Sequence, residues 1–87
     1  MPANDQMMRY VRQVVAEIAS ISPDEVSATD RLREDLGLDS VQNMELLSRV
    51  TEEFEIDPDL ELVMRLETVG EVVSELSRSA GSAALPS

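Results

Sequence analysis

Ser40, directly after Asp39 and just ahead of an acidic stretch with helical apolar spacing, is the hydroxyl in this chain with the most chemical interest. A serine acts as a triad-type nucleophile only when a neighbouring base removes its proton, and the chain contains no His, Lys or Cys. Ser40 is therefore either an ordinary helix-start residue or an acceptor that another enzyme modifies. Asp-Ser at a helix start is common capping chemistry, and the local pattern alone favours that reading. A helix N-terminus would also suit an attached phosphate, because its free N–H groups and dipole favour negative charge.

The carboxylates offer less. Glu34/Asp35 and Glu52/Glu53 are sequence neighbours, so on a helix they do not face each other as an acid/base pair would. Asp57, Asp59 and Glu61 alternate like calcium-loop ligands, but Pro58 enters the run. The sixth position of that run is not Gly and the twelfth is Thr68, so an EF-hand is excluded. The three glycines, Gly37, Gly70 and Gly81, are too scattered for a phosphate-binding loop. No catalytic residue and no metal site are expected.

The elements that must position Ser40 come from 87 residues, enough for one domain. Without Cys there is no disulfide, thiolate or zinc knuckle. Eighteen acidic residues against seven basic ones, all Arg, give a net charge of −11. That charge opposes nucleic acid and anionic membranes and points to basic protein partners. No apolar run approaches the roughly 18 residues of a membrane span, and no signal peptide is recognisable. A soluble, cytoplasmic monomer is expected. Tyr10 and Phe54 are the only aromatics, so the core must be aliphatic.

Apolar spacing reads as helix throughout. Asn4 or Asp5 caps a first helix to about Ser20, with Met7, Val11, Val14 and Ile18 inward and Met8 and Val15 widening the stripe. Arg9, Arg12, Gln13 and Glu17 take the other face. Ser22-Pro23-Asp24-Glu25 predicts one helical turn, anchored by Val26, inside a loop from about Ser20 to Leu38 that Leu32, Leu36 and Leu38 tether to the core. Asp39 with Gln42 caps a second helix to about Phe54, its core stripe Leu46, Val50 and Phe54, helped by Leu47. Asp57-Pro58 starts a short third helix with Leu60, Val63 and Met64 inward. Thr68-Val69-Gly70-Glu71 is a capping box for a last helix carrying Val69, Val72, Val73 and Leu76. The Ser-, Ala- and Gly-rich residues 77–87 read as a disordered tail, leaving residues 1–76 as the domain. From Asp30 to Glu61 there are 11 acidic residues and three Arg, so the second helix and its flanks form an anionic face.

Assembled, the segment from Glu34 through Leu36-Gly37-Leu38-Asp39-Ser40-Val41, followed by Glu45-Leu46 and Glu52-Glu53-Phe54, resembles an acyl carrier protein. The likeness spans roughly Met7 to Leu76. It implies an all-α, small four-helix bundle with a long first loop and a short third helix. It implies that Ser40 accepts 4′-phosphopantetheine from coenzyme A, whose thiol then holds acyl groups as thioesters. By position it assigns contact with partner enzymes to Asp39, Val41, Met44, Glu45 and Glu52.

The implied partners are a phosphopantetheinyl transferase, an acyl-loading ligase or acyltransferase, and ketosynthase or condensation-type enzymes with basic docking patches. The implied pathway is of fatty-acid, polyketide or lipopeptide type. This chain departs from the family at Val41, where Leu is usual, and at Gln42 and Thr51, which are often acidic. It departs also at Ser48, where an apolar residue is common, and at Arg49, which sets a positive charge on the recognition helix. Asp57-Pro58 comes early, which predicts a shorter second loop. These departures suggest partners other than those of housekeeping fatty-acid synthesis. A peptidyl or aryl carrier shares the implied fold and modified serine, and an unmodified acidic helical adaptor is the alternative of another class.

Overall fold

A computed structural model describes residues 2–84. Four α-helices follow one another: α1 (Pro2–Ala19), α2 (Ser40–Phe54), α3 (Leu60–Met64) and α4 (Val69–Ala84). One 3₁₀ turn, Pro23–Glu25, interrupts the long first connection where Ser22-Pro23 predicts it, with the Ser22 hydroxyl accepting from the Asp24 N–H. Among the described residues there is no strand, and the fold is the expected all-α bundle.

The apolar stripes face one another. Met7, Val11, Val14 and Val15 of α1 are buried together with Leu46, Leu47 and Val50 of α2 and Val69, Val72, Val73 and Leu76 of α4. Helix α1 packs on both α2 and α4, and α3 packs on α4. Full burial of a Val or Leu contributes about 1.5–3 kcal/mol, so a bundle without large aromatics can still close on aliphatic contacts. Tyr10 and Phe54 add one edge-to-face pair between α1 and α2, centroids 5.8 Å apart. Among the described residues no polar or charged side chain is buried as a whole.

The long first connection is ordered because it is anchored twice. Val26, Leu32 and Leu38 sit in the core, with Leu36 packed against it. Its backbone is also strapped to the α3–α4 connection: Leu32 N–H donates to the Glu67 carbonyl at 2.8 Å, and Val69 N–H to the Asp30 carbonyl at 3.0 Å. Gly70 N–H donates to the Ala28 carbonyl at 2.8 Å, an approach so close that a Cβ at Gly70 would stand 3.0 Å from that oxygen.

Five expectations need correction. Helix α1 begins at Pro2, ahead of Asn4 or Asp5, and Pro suits a first turn whose N–H groups lack helical acceptors. Arg12 is not simply outward: its Nη2 donates to the Pro23 carbonyl at 3.4 Å, linking α1 to the 3₁₀ turn. Helix α3 is capped by Asp59 rather than Asp57, its carboxylate accepting from the N–H groups of Glu61 and Leu62. A helix barely longer than one turn offers the core one full position, which Val63 takes; Met64 is half-buried, and Leu60 and Leu62 are exposed. Finally, α4 does not stop at Leu76, and the first eight residues of the expected tail are helical. Extending a helix already docked through Leu76 is cheap where Ala is frequent. Residues 85–87 of that tail lie outside the described residues.

Candidate functional site

Gly37 turns the chain toward α2. Its φ of +74° lies in the left-handed region, where a side chain would strain the backbone. Leu38 then drops into the core, its N–H donating to the Leu32 carbonyl at 2.9 Å. Asp39 closes the reciprocal box read from the sequence: its Oδ1 accepts from Gln42 N–H at 2.8 Å, and its own N–H donates to Gln42 Oε1 at 3.0 Å. Ser40 is consequently the first residue of α2, with its side chain exposed. Arg33 Nη2 donates to Ser40 Oγ at 3.4 Å.

Ser40 opens onto a cleft of about 240 Å³ between the Arg31–Leu38 loop, the first turn of α2 and the segment 64–67. Leu32, Leu38, Met64 and Leu66 give it apolar walls, and three arginines, Arg31, Arg33 and Arg65, stand along it. Arg31 is engaged by Glu34 and Asp35. The Arg31 N–H holds the Asp35 carboxyl below its usual range against the opposing effect of desolvation, with further help from the Arg31 guanidinium. Arg33 and Arg65 form no ion pair among the described residues, so their charge is available to an anion at Ser40. Deeper in the cleft, Asn43 Nδ2 donates to Met64 Sδ at 3.6 Å, while Asn43 Oδ1 is buried with no protein hydrogen-bond partner.

The other residues singled out by sequence lie on the outside of α2. Val41 is 76% exposed and Met44 47%, and Glu45, Ser48 and Glu52 continue the same face in solvent. Asp39 is exposed beside Ser40 while its carboxylate is occupied as the cap. Arg49 departs from expectation. It turns toward α1, its Nη2 3.1 Å from Glu17 Oε1, and that hydrogen bond raises its pKa above the usual arginine range. Its charge is therefore matched by Glu17. No group of acidic residues capable of holding a metal ion occurs among the described residues.

Sequence reasoning missed Arg33 and Asn43. Asn43 had a signal, since it lies three residues after Ser40 on a helix and so shares its face. Arg33 had none, because only the loop's own turn, with Gly37 N–H bonded to the Arg33 carbonyl at 3.1 Å, brings it back to Ser40.

Chemically, the arrangement is an exposed hydroxyl with no base, set on a helix N-terminus beside a guanidinium and above a partly apolar cleft. It suits an anionic group attached to Ser40 and suits no reaction of the chain's own.

Residues 9–76 match the family described as phosphopantetheine attachment site. The chain is 36% identical over 63 residues to the acyl carrier protein of a Sulfurovum species, covering 72% of this chain and 84% of that one. It is 37% identical over 71 residues to the acyl carrier protein of Campylobacter jejuni subsp. doylei, covering 78% and 92%. With that of Phenylobacterium zucineum it shares 30% over 76 residues, covering 87% and 96%. A hydroxyl without a base on an acidic four-helix bundle, and these likenesses over most of its length, have one reading: the chain belongs to the acyl carrier protein family, non-catalytic carriers bearing a covalently attached 4′-phosphopantetheine.

Proposed function

We propose that Ser40 is the attachment residue and that residues 1–76 form the working domain of a discrete, monomeric cytoplasmic carrier. It would present acyl groups to enzymes of a fatty-acid, polyketide or lipopeptide-type pathway. The observation that carries this is the position of Ser40: exposed, first in α2, and 3.4 Å from the Arg33 guanidinium. In the attachment step, Ser40 Oγ forms a bond to the phosphorus of coenzyme A that bears the pantetheine. The bond from that phosphorus to the nucleotide breaks, 3′,5′-ADP leaves, and the transferase takes the serine proton.

The residues present fit such a group. Arg33 and the free N–H groups at the start of α2 favour its phosphodiester, and the cleft beneath holds an acceptor that lacks a protein partner. Once attached, the group supplies the thiol that this Cys-free chain lacks. Asp39 fixes the helix start that holds Ser40 outward. Val41, Met44, Glu45 and Glu52 offer partner enzymes an apolar and acidic face, complementary to basic patches.

Intact-mass measurement after incubation with coenzyme A and a phosphopantetheinyl transferase tests the reading. Wild type should gain one phosphopantetheine and Ser40→Ala none, with both giving the same helical circular dichroism. A modified Ser40→Ala would refute the assignment.

A further inference from the structure

Asn43 Oδ1 is one of two buried side-chain polar atoms without a protein partner among the described residues; the other, Arg12 Nε, is on α1 and does not line the cleft beside Ser40. An unmet buried acceptor is unfavourable by the desolvation it has suffered, and native structures keep few of them. This one lines the cleft onto which Ser40 opens, on the same helix face and one turn deeper. Its Nδ2 donates to Met64 Sδ on the opposite wall, a weak acceptor, and Oδ1 is left without a protein partner. Leu32, Leu38 and Leu66 make the surroundings apolar, so a hydrogen bond formed there is little weakened by solvent. At the cleft mouth Arg33 offers a cation beside Ser40 Oγ.

We infer that Asn43 is a positioning residue for the prosthetic group: Oδ1 accepts a hydrogen bond from the donors nearest the phosphate, the pantoyl hydroxyl or the adjacent amide N–H. The inference rests on Ser40 as the point of attachment. Reach selects these donors over any on the cargo, because Ser40 and Asn43 are separated by a single helical turn. Arg33 and Asn43 then hold the group at two points, the phosphodiester at the mouth and the donor inside.

The test uses holo protein carrying ¹⁵N-labelled pantetheine, with intact mass and peptide mapping first placing the group on Ser40. A group found elsewhere overturns both the attachment reading and this inference. With the group on Ser40, the amide nearest the phosphate should be ordered by heteronuclear relaxation and should exchange with solvent more slowly than the same amide in free coenzyme A. Asn43→Leu, close in shape but without an acceptor, should lower that protection roughly 2- to 10-fold, the worth of one net hydrogen bond. Asn43→Asp, which keeps an acceptor, should retain most of it. The Asn43 side-chain ¹³Cγ resonance of wild type should also shift between apo and holo forms.

A purely structural asparagine predicts something different. Removing it would then change apo and holo melting temperatures equally, whereas here Asn43→Leu should stabilise the apo form and reduce the gain in melting temperature from apo to holo. Wild-type arm amides as mobile as in coenzyme A, or protection unchanged in Asn43→Leu, would overturn the inference while leaving Ser40 as the attachment residue.

Discussion

Arg49 Nη2 lies 3.1 Å from Glu17 Oε1, so the single cation of α2 is directed across the bundle to α1. The outer face of α2 keeps Glu45 and Glu52 with no compensating charge on their own helix. Reversing both to Arg should therefore slow transfer to partner enzymes while leaving the fold intact. The loss should appear in association rate and shrink as salt is added, because exposed charges act through long-range attraction that ions screen. Stopped-flow association at two ionic strengths measures it. Asp24 and Glu25 on the 3₁₀ turn are suitable controls, since reversing Glu17 would also free Arg49. Equal impairment by control and test pairs would dismiss a docking role for α2.

Gly37→Ala should destabilise the protein by about 1–2 kcal/mol, the price of a left-handed backbone in an L-residue. A Cβ there meets nothing within 4 Å, so the effect is conformational rather than a clash. Gly37→Asn should lose less, since Asn tolerates that region better. Urea denaturation of the three proteins gives the ranking, and an Ala variant as stable as wild type would contradict it.

Ser20 and Glu55 also adopt left-handed conformations, φ +62° and +54°, at the ends of α1 and α2. Glycine is the natural residue at such helix exits. Ser20→Gly and Glu55→Gly should each stabilise by about 0.5–1 kcal/mol, net of the greater freedom Gly gives the unfolded chain. Thermal melts in both variants check this; a lower melting temperature in both would refute it.

Acid should remove part of the stability through Glu71. Its carboxylate accepts from the N–H groups of Glu67 and Thr68, at 3.0 and 3.2 Å, which hold its pKa below the usual glutamate value despite slight burial. A folded-state pKa below the unfolded one means the contribution is complete above the unfolded pKa. It is lost as pH falls through the folded value, so the window opens near about pH 4.3 and extends downward. Between pH 6 and 3 the melting temperature of wild type should fall more steeply than that of Glu71→Gln. Relief of general carboxylate repulsion acts alike on both and cancels in the comparison.

Local signals in the sequence were sufficient for most of the fold. Asp39 with Gln42, Thr68 with Glu71, and Ser22-Pro23 each place a donor and an acceptor within three residues, and all three form as read. What could not be read depends on distant partners. The pairing of Leu32 with Glu67 and of Gly70 with Ala28 joins segments more than thirty residues apart, and no composition rule selects those registers. The exposure of Leu60 follows from how little of α3 there is to turn inward. The place of Ser40 at the start of α2 was legible from the Asp39–Gln42 box. The unmet Asn43 oxygen was not, because it depends on where Met64 arrives from another helix.

The edge-to-face contact of Tyr10 with Phe54 has an optical consequence. The chain has one Tyr and no Trp, so all of its intrinsic ultraviolet fluorescence originates at the seam between α1 and α2. Any event that separates those helices, whether a loaded acyl chain wedged into the bundle or a partner enzyme prising it open, will be recorded by a native chromophore at a single known place. No label is required, and the other aromatic, the weakly emitting Phe54, lies at the same seam.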